Sequence, residues 1–252
     1  VCFVVAGCAP PPGQQRDELG FSEIQHAALA RDFDKLNAMV QAGADLNVAD
    51  SDGVTALHRA ARDGDDEVAK FLLSYGVRPN DKTSTGWTSL HLAARASKPK
   101  LVETLLLYGA DPLAPLPEGR IALHLACTRN DFPTVDVLLA DWVYKDRQNK
   151  DNGVNKKDEK GDTPLHLALG QRDKRLVPLL IAKGADVTMP DSRGVPPLVT
   201  VCAMGDEYLT ALLLGKGANP NTPDAKGRTP LKAGTDSGNV SVIQMLVQAG
   251  AR

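Results

Sequence analysis

Apolar positions in this chain fall into short clusters that come in pairs. In one well-defined pair, Leu57, Ala60 and Ala61 are followed, after the polar break Asp63-Gly64, by Val68, Phe71, Leu72 and Leu73. Spacings of three and four residues put the apolar side chains of each cluster on one helical face, so the pattern predicts two short helices joined by a turn. Comparable breaks stand at Asn130-Asp131 and Gly205-Asp206. A glycine precedes each pair, at Gly53, Gly86, Gly119, Gly161, Gly194 and Gly227, giving spacings of 33, 33, 42, 33 and 33 residues. Four residues after each glycine comes a leucine, Leu57, Leu90, Leu123, Leu165, Leu198 and Leu231, and the next position holds His58, His91, His124 and His166 in four cases. A second glycine, 23 residues past the first, closes most units at Gly76, Gly109, Gly184, Gly217 and Gly250. Helices this short are marginal alone, because an isolated helix needs roughly 12 to 15 residues to persist in water. A fixed period of this kind therefore describes a unit that is stable only when stacked on copies of itself.

The start of each first helix is written locally. Thr55, Thr88, Thr163 and Thr229 can each cap a helix by accepting from a free amide of its first turn, and Pro164 and Pro230 sit where a missing N–H costs nothing. Thr163-Pro164-Leu165-His166-Leu167-Ala168 matches in full the T-P-L-H-x-A motif of a 33-residue repeat. Weaker copies are Thr55-Ala56-Leu57-His58, Thr88-Ser89-Leu90-His91 and Thr229-Pro230-Leu231-Lys232. On motif and period the chain resembles the ankyrin-repeat family. The resemblance implies an all-α ankyrin-repeat solenoid of about seven helix-turn-helix units with short β-hairpin fingers, the fingers and first helices forming one concave surface. The units fall near 21–49, 50–82, 83–115, 116–157 with an insertion at 142–150, 158–190, 191–223 and 224–252.

Two features strain this pattern. Pro178 falls about five residues into an expected second helix, where an interior proline costs on the order of 3 kcal/mol, so a short or kinked helix is expected. In the 142–150 insertion Trp142 replaces the closing glycine, and Lys145, Asp146, Arg147 and Lys150 give a charged but balanced stretch.

Charge narrows the function classes. Among 252 residues, 29 basic side chains face 31 acidic ones, for a formal net charge of -2; nucleic-acid binding requires a basic excess. Four cysteines are too few for a disulfide scaffold. Cys127 and Cys202 occupy equivalent small positions two units apart, too far for a disulfide and suited to the core. The sequence contains no C-x-x-C, H-E-x-x-H, G-x-S-x-G or phosphate-loop motif, so no catalytic, cofactor or metal site is expected, and an enzyme with an unrecognised site is the remote alternative. The four histidines come one per unit, and the resemblance implies that they hydrogen-bond within and between units. His26 is one residue out of phase and has no metal-spaced companion in the sequence.

What remains is binding to a protein partner by a monomer. Val54, Trp87, Arg120, Asp162, Val195 and Arg228 follow the turn glycines, and Arg62, Arg95, Arg129, Gln171 and Met204 end the first helices. The resemblance implies that these positions face the partner, with Trp87 the expected anchor, since tryptophan and arginine are enriched at interface hot spots. The amino-terminal residues raise a separate expectation. Val5-Ala6-Gly7-Cys8 resembles a bacterial lipobox, which implies a signal remnant at 1–8, lipid on Cys8, a Pro-rich tether at 9–20 and a periplasmic, membrane-anchored protein. Cleavage after Ala9 in a secreted protein, or an intracellular or host-directed protein whose apolar start is incidental, are the alternatives. The residues upstream of Val1 decide among them. No run of about 18 apolar residues is present to span a bilayer.

Overall fold

The computed structural model describes residues 17, 22–140, 143, 151–171 and 175–252. Cys8 and most of the 142–150 insertion, Trp142 included, lie outside the described residues. Packing divides the chain into two compact parts, Val1–Pro117 and Glu118–Arg252.

The first part contains α1 (Glu23–Leu29), α2 (Phe33–Gln41), α3 (Ala56–Asp63), α4 (Asp66–Ser74), α5 (Ser89–Arg95) and α6 (Pro99–Leu107). The second contains α7 (Ala122–Thr128), α8 (Phe132–Leu138), α9 (Pro164–Leu169), α10 (Leu176–Ala182), α11 (Pro197–Ala203), α12 (Glu207–Gly215), α13 (Pro230–Ser237) and α14 (Val240–Gln248). In each part the odd-numbered helices stack on one another, α1 on α3 on α5 and α7 on α9 on α11 on α13. Each odd helix also packs against the even helix that follows it. Ala60-Ala61, Ala93-Ala94 and Ala126-Cys127 are buried and let the stacked helices approach closely, while Leu57, Leu90, Leu123, Leu165 and Leu198 fill the core. Cys127 and Cys202 are free thiols within it.

Three αL positions recur. One lies in the fingers, at glycines such as Gly53 and Gly86, and one closes units, at glycines such as Gly76 and Gly109. The third lies between the paired helices, where Gly64, Gly205 and Gly238 alternate with Arg31, Ser97 and Asn130. A β-carbon costs energy in this conformation, so Arg31 and Ser97 are held there by the helices on either side.

The helix that holds Pro178 is short, as expected: α10 has seven residues and begins at Leu176, as short as α8, while α2, α4, α6, α12 and α14 have nine. The proline thus stands in the first turn, where its missing N–H breaks no bond. The expected β-hairpin fingers are tight turns, and no extended strand occurs among the described residues. The first is closed by two backbone bonds, Gly53 N–H to Asp50 O at 3.0 Å and Asp50 N–H to Val54 O at 2.9 Å, too few to build a ladder.

Candidate functional site

Five of the fingers, those at Gly53, Gly86, Gly161, Gly194 and Gly227, are built around a polar residue three positions before the glycine. Asp50 Oδ1 accepts from the amides of Asp52 and Val54 at 3.0 and 2.9 Å. Asp158 repeats this with Lys160 and Asp162, Asp191 with Arg193 and Val195, and Asp224 with Lys226 and Arg228. Thr83 takes the same place in another finger, its hydroxyl oxygen accepting from Trp87 N–H at 3.1 Å. Burial pushes the Asp158 and Asp191 carboxyls up, but amide donors and a neighbouring guanidinium outweigh it and hold both below the usual carboxylate range. Neighbouring fingers are joined by single bonds, Ser84 N–H to Asp52 O at 2.8 Å and Ser192 N–H to Asp162 Oδ1 at 2.9 Å. At Gly53 an added β-carbon would lie 3.0 Å from that same Ser84 nitrogen, so glycine serves both the positive φ and the close approach.

The histidines tie first helices to fingers. His58 Nδ1 accepts from the Thr55 amide at 3.1 Å, which leaves the proton on Nε2 to be donated to Asp81 O at 3.0 Å and Trp87 O at 3.2 Å. His124 Nδ1 accepts from Ile121 N–H and its Nε2 donates to Lys156 O, and His166 bridges Thr163 and Met189 in the same way. Burial holds all three imidazoles below their ordinary pKa, His124 down to about 4. The in-phase residue of the opening unit is Gln25, whose Oε1 accepts from Ser22 N–H at 2.8 Å while Nε2 donates to Val54 O at 2.6 Å. His26, one residue out of phase, is exposed and pairs with Asp17. Burial also raises both thiols, Cys202 to about 11 and Cys127 further. Among the described residues no group of three His, Cys, Asp or Glu side chains could hold a metal ion, and no helix is long and apolar enough to cross a membrane.

Four expected partner-facing residues meet in the first part. Val54, Arg62, Trp87 and Arg95 line a cavity of about 440 Å³ together with Asp52, His58, Arg59, Thr83, Ser84, Thr85 and Leu92. Trp87 is half-buried rather than free. Its ring lies 6.1 Å from that of His91, edge-on, and the Arg95 guanidinium stands 5.2 Å from its centroid. The indole lies beside a first-helix histidine, which is why it does not stand clear of the stack. In the second part Val195 and Arg228 share another cavity of about 440 Å³ with Arg193, Asp224 and Lys226.

The other expected positions are already engaged or stand apart from these cavities. Arg120 and Arg228 are ion-paired to the turn carboxylates of Asp158 and Asp224, at 3.2 and 3.3 Å. Asp162 holds the next finger. The Gln171 amide donates to Leu167 O at 3.4 Å, and Arg129 and Met204 are exposed at helix ends. Sequence reasoning missed the turn aspartates and Gln25. It also missed Asn80, Asn155 and Asn221, whose side chains bridge the ends of successive units, as in Asp111 N–H to Asn80 Oδ1 at 2.7 Å.

Helix pairs stacked at a fixed period define a repeat protein. A family profile described as ankyrin repeats, three copies, matches residues 24–116, 101–191 and 171–252, and the chain belongs to the ankyrin-repeat family. Its fold is similar to the crystal structure of the ankyrin repeat domain of Bcl-3, a member of the IkappaB protein family. The TM-score is 0.69 at 28% identity over 80% of this chain and 89% of that one. A search of curated proteins found no match. The chain is a protein-interaction module, and the fold is typically a non-enzymatic scaffold.

Proposed function

We propose that the protein binds another protein through its finger and first-helix side, the concave side that the family resemblance implies, with Trp87 and Arg95 at the centre of the contact. The observation that carries this reading is the convergence of Val54, Arg62, Trp87 and Arg95 on one cavity in which the arginines and the indole remain partly open to solvent. Aromatic and arginine side chains in a sheltered concavity are the usual anchors of a protein interface. The domain acts as a monomer, and it carries out no chemistry of its own.

On the same reading the protein lies outside the bacterial inner membrane, in the periplasm, anchored by lipid on Cys8. The lipobox-like Val5-Ala6-Gly7-Cys8 and the proline run that follows support it. A bacterium expressing the full-length gene product with a labelled fatty acid tests the anchor. Label and membrane partition are expected for the unaltered protein, with neither for Cys8→Ala. No label on the unaltered protein would return the chain to the secreted or intracellular readings. Pull-down with unaltered protein and with Trp87→Ala tests the binding face, and equal recovery of a partner by both would place the contact elsewhere.

A further inference from the structure

The three arginines of the Trp87 cavity are not equivalent. Arg59 is consumed, its guanidinium 2.7 Å from Asp50 Oδ2, with both side chains largely buried. Arg62 reaches Asp63 at 2.9 Å, but over an exposed helix surface with both side chains about half open, where such a pair contributes little and exchanges easily. Arg95 has no carboxylate within 4.0 Å among the described residues. What it has is the indole of Trp87 beneath it. A guanidinium drawn over an aromatic face keeps its charge and its N–H donors, and such donors can receive a carboxylate through two parallel hydrogen bonds.

The rest of the lining limits what can bring that carboxylate. Val54, Leu92 and the indole form apolar walls, and Ser84 and Thr85 put hydroxyls at the fingertip. Asp52 is the one carboxylate in the lining, and together with the net charge of -2 it disfavours a polyanion such as nucleic acid. A volume of about 440 Å³ suits one or two side chains rather than a folded element. We infer that this cavity receives an acidic side chain, flanked by aliphatic residues, from an extended segment of the protein partner. Arg95 and Arg62 take the carboxylate. Trp87 then acts mainly as the platform that holds Arg95, not as the apolar anchor itself. This inference rests on the proposed binding face.

A random peptide library displayed on phage and selected against the full-length protein tests it. Enriched sequences are expected to carry Asp or Glu beside Leu, Ile or Val. Replacing that acid by its amide, or Arg95 by Gln, should each weaken binding about tenfold or more, the loss of a charge-assisted hydrogen-bonded pair, and raised salt should weaken it too. Trp87→Phe, which keeps a platform, should bind better than Trp87→Ala. Val54→Arg, which fills the cavity, separates the two readings. Selected peptides that lose binding to Val54→Arg but carry no acid, or ignore Arg95→Gln, would overturn the carboxylate site and leave the binding face standing. Peptides indifferent to Val54→Arg, or a selection that yields none, would overturn the face itself and this site with it. Circular dichroism of each variant, altered only at partly exposed positions, checks that the fold is kept.

Discussion

A buried histidine that must stay neutral makes stability depend on pH, and His124 gives the clearest case. Its ordinary pKa is about 6.5, and burial lowers it to about 4 in the folded chain. Above about pH 6.5 both folded and unfolded states are neutral at this residue, and it adds no pH dependence. As the pH falls, the unfolded chain takes up the proton first. Stability is therefore lost between about pH 6.5 and about pH 4, and the loss is constant below that. A shift of about 2.5 units corresponds to about 3 kcal/mol in full, and to about 2 kcal/mol at pH 5. That is a sizeable part of the 5 to 15 kcal/mol typical of a folded domain. The perturbation is His124→Gln, chosen because Gln25 makes the equivalent pair of hydrogen bonds in the opening unit without a titrating group. Urea unfolding at pH 8 should find the variant within about 1 kcal/mol of the parent, since both bonds can be kept. Between pH 7 and pH 5 the variant should lose about 2 kcal/mol less than the parent. His58 and His166, lowered in the same direction, contribute equally to both proteins and cancel in the difference. An acid loss as steep in the variant as in the parent would refute the account of His124, and failure to fold at pH 8 would refute the equivalence with Gln25.

Leu90, 1% exposed, should cost roughly 2 to 5 kcal/mol when changed to Ala, whereas Trp87→Ala should cost less in thermal or urea unfolding because the ring is only half-buried and its stack with Arg95 is worth about 0.5 to 1 kcal/mol. Asp158→Ala removes the acceptor for two finger amides and the partner of Arg120, and should lower stability by about 1 to 3 kcal/mol, while Asp52→Ala at an exposed fingertip should change urea stability by less than about 0.5 kcal/mol. Ser97→Gly should raise stability by about 0.5 to 1 kcal/mol, because it relieves an αL residue at the position where other units use glycine.

The period carried the fold because one rule, a leucine four residues past each turn glycine and a small pair after it, corresponds to one packing layer. Leu57, Leu90, Leu123, Leu165 and Leu198 all lie in the core. Gln25 was legible too, since Ser22-Glu23-Ile24-Gln25 is a capping box, but a search by histidine passes over a side chain that supplies the same acceptor and donor from an amide. The finger aspartates were written as Asp-x-x-Gly at Asp50, Asp158, Asp191 and Asp224, a turn signal that the helical period overshadowed. The fingers carry no extended strand because strand character needs a run of paired backbone groups, and these fingers close after two bonds.

The binding face was harder to read for a reason of the same kind. Position within a repeat says which way an arginine points, but not whether a carboxylate already holds it. Arg120 and Arg95 both looked free in sequence. The carboxylate that neutralises Arg120 lies 38 residues away, on Asp158, in a finger reached only after the insertion. Arg228 is held from within its own finger by Asp224. Arg95 meets an indole where those two meet an acid. An arginine stacked on an aromatic ring keeps its charge and its donors, whereas one paired to a buried aspartate has given up both to the turn. Arg95 therefore has more left to offer a partner than Arg120 and Arg228, the finger arginines that look equivalent by position and serve the fold.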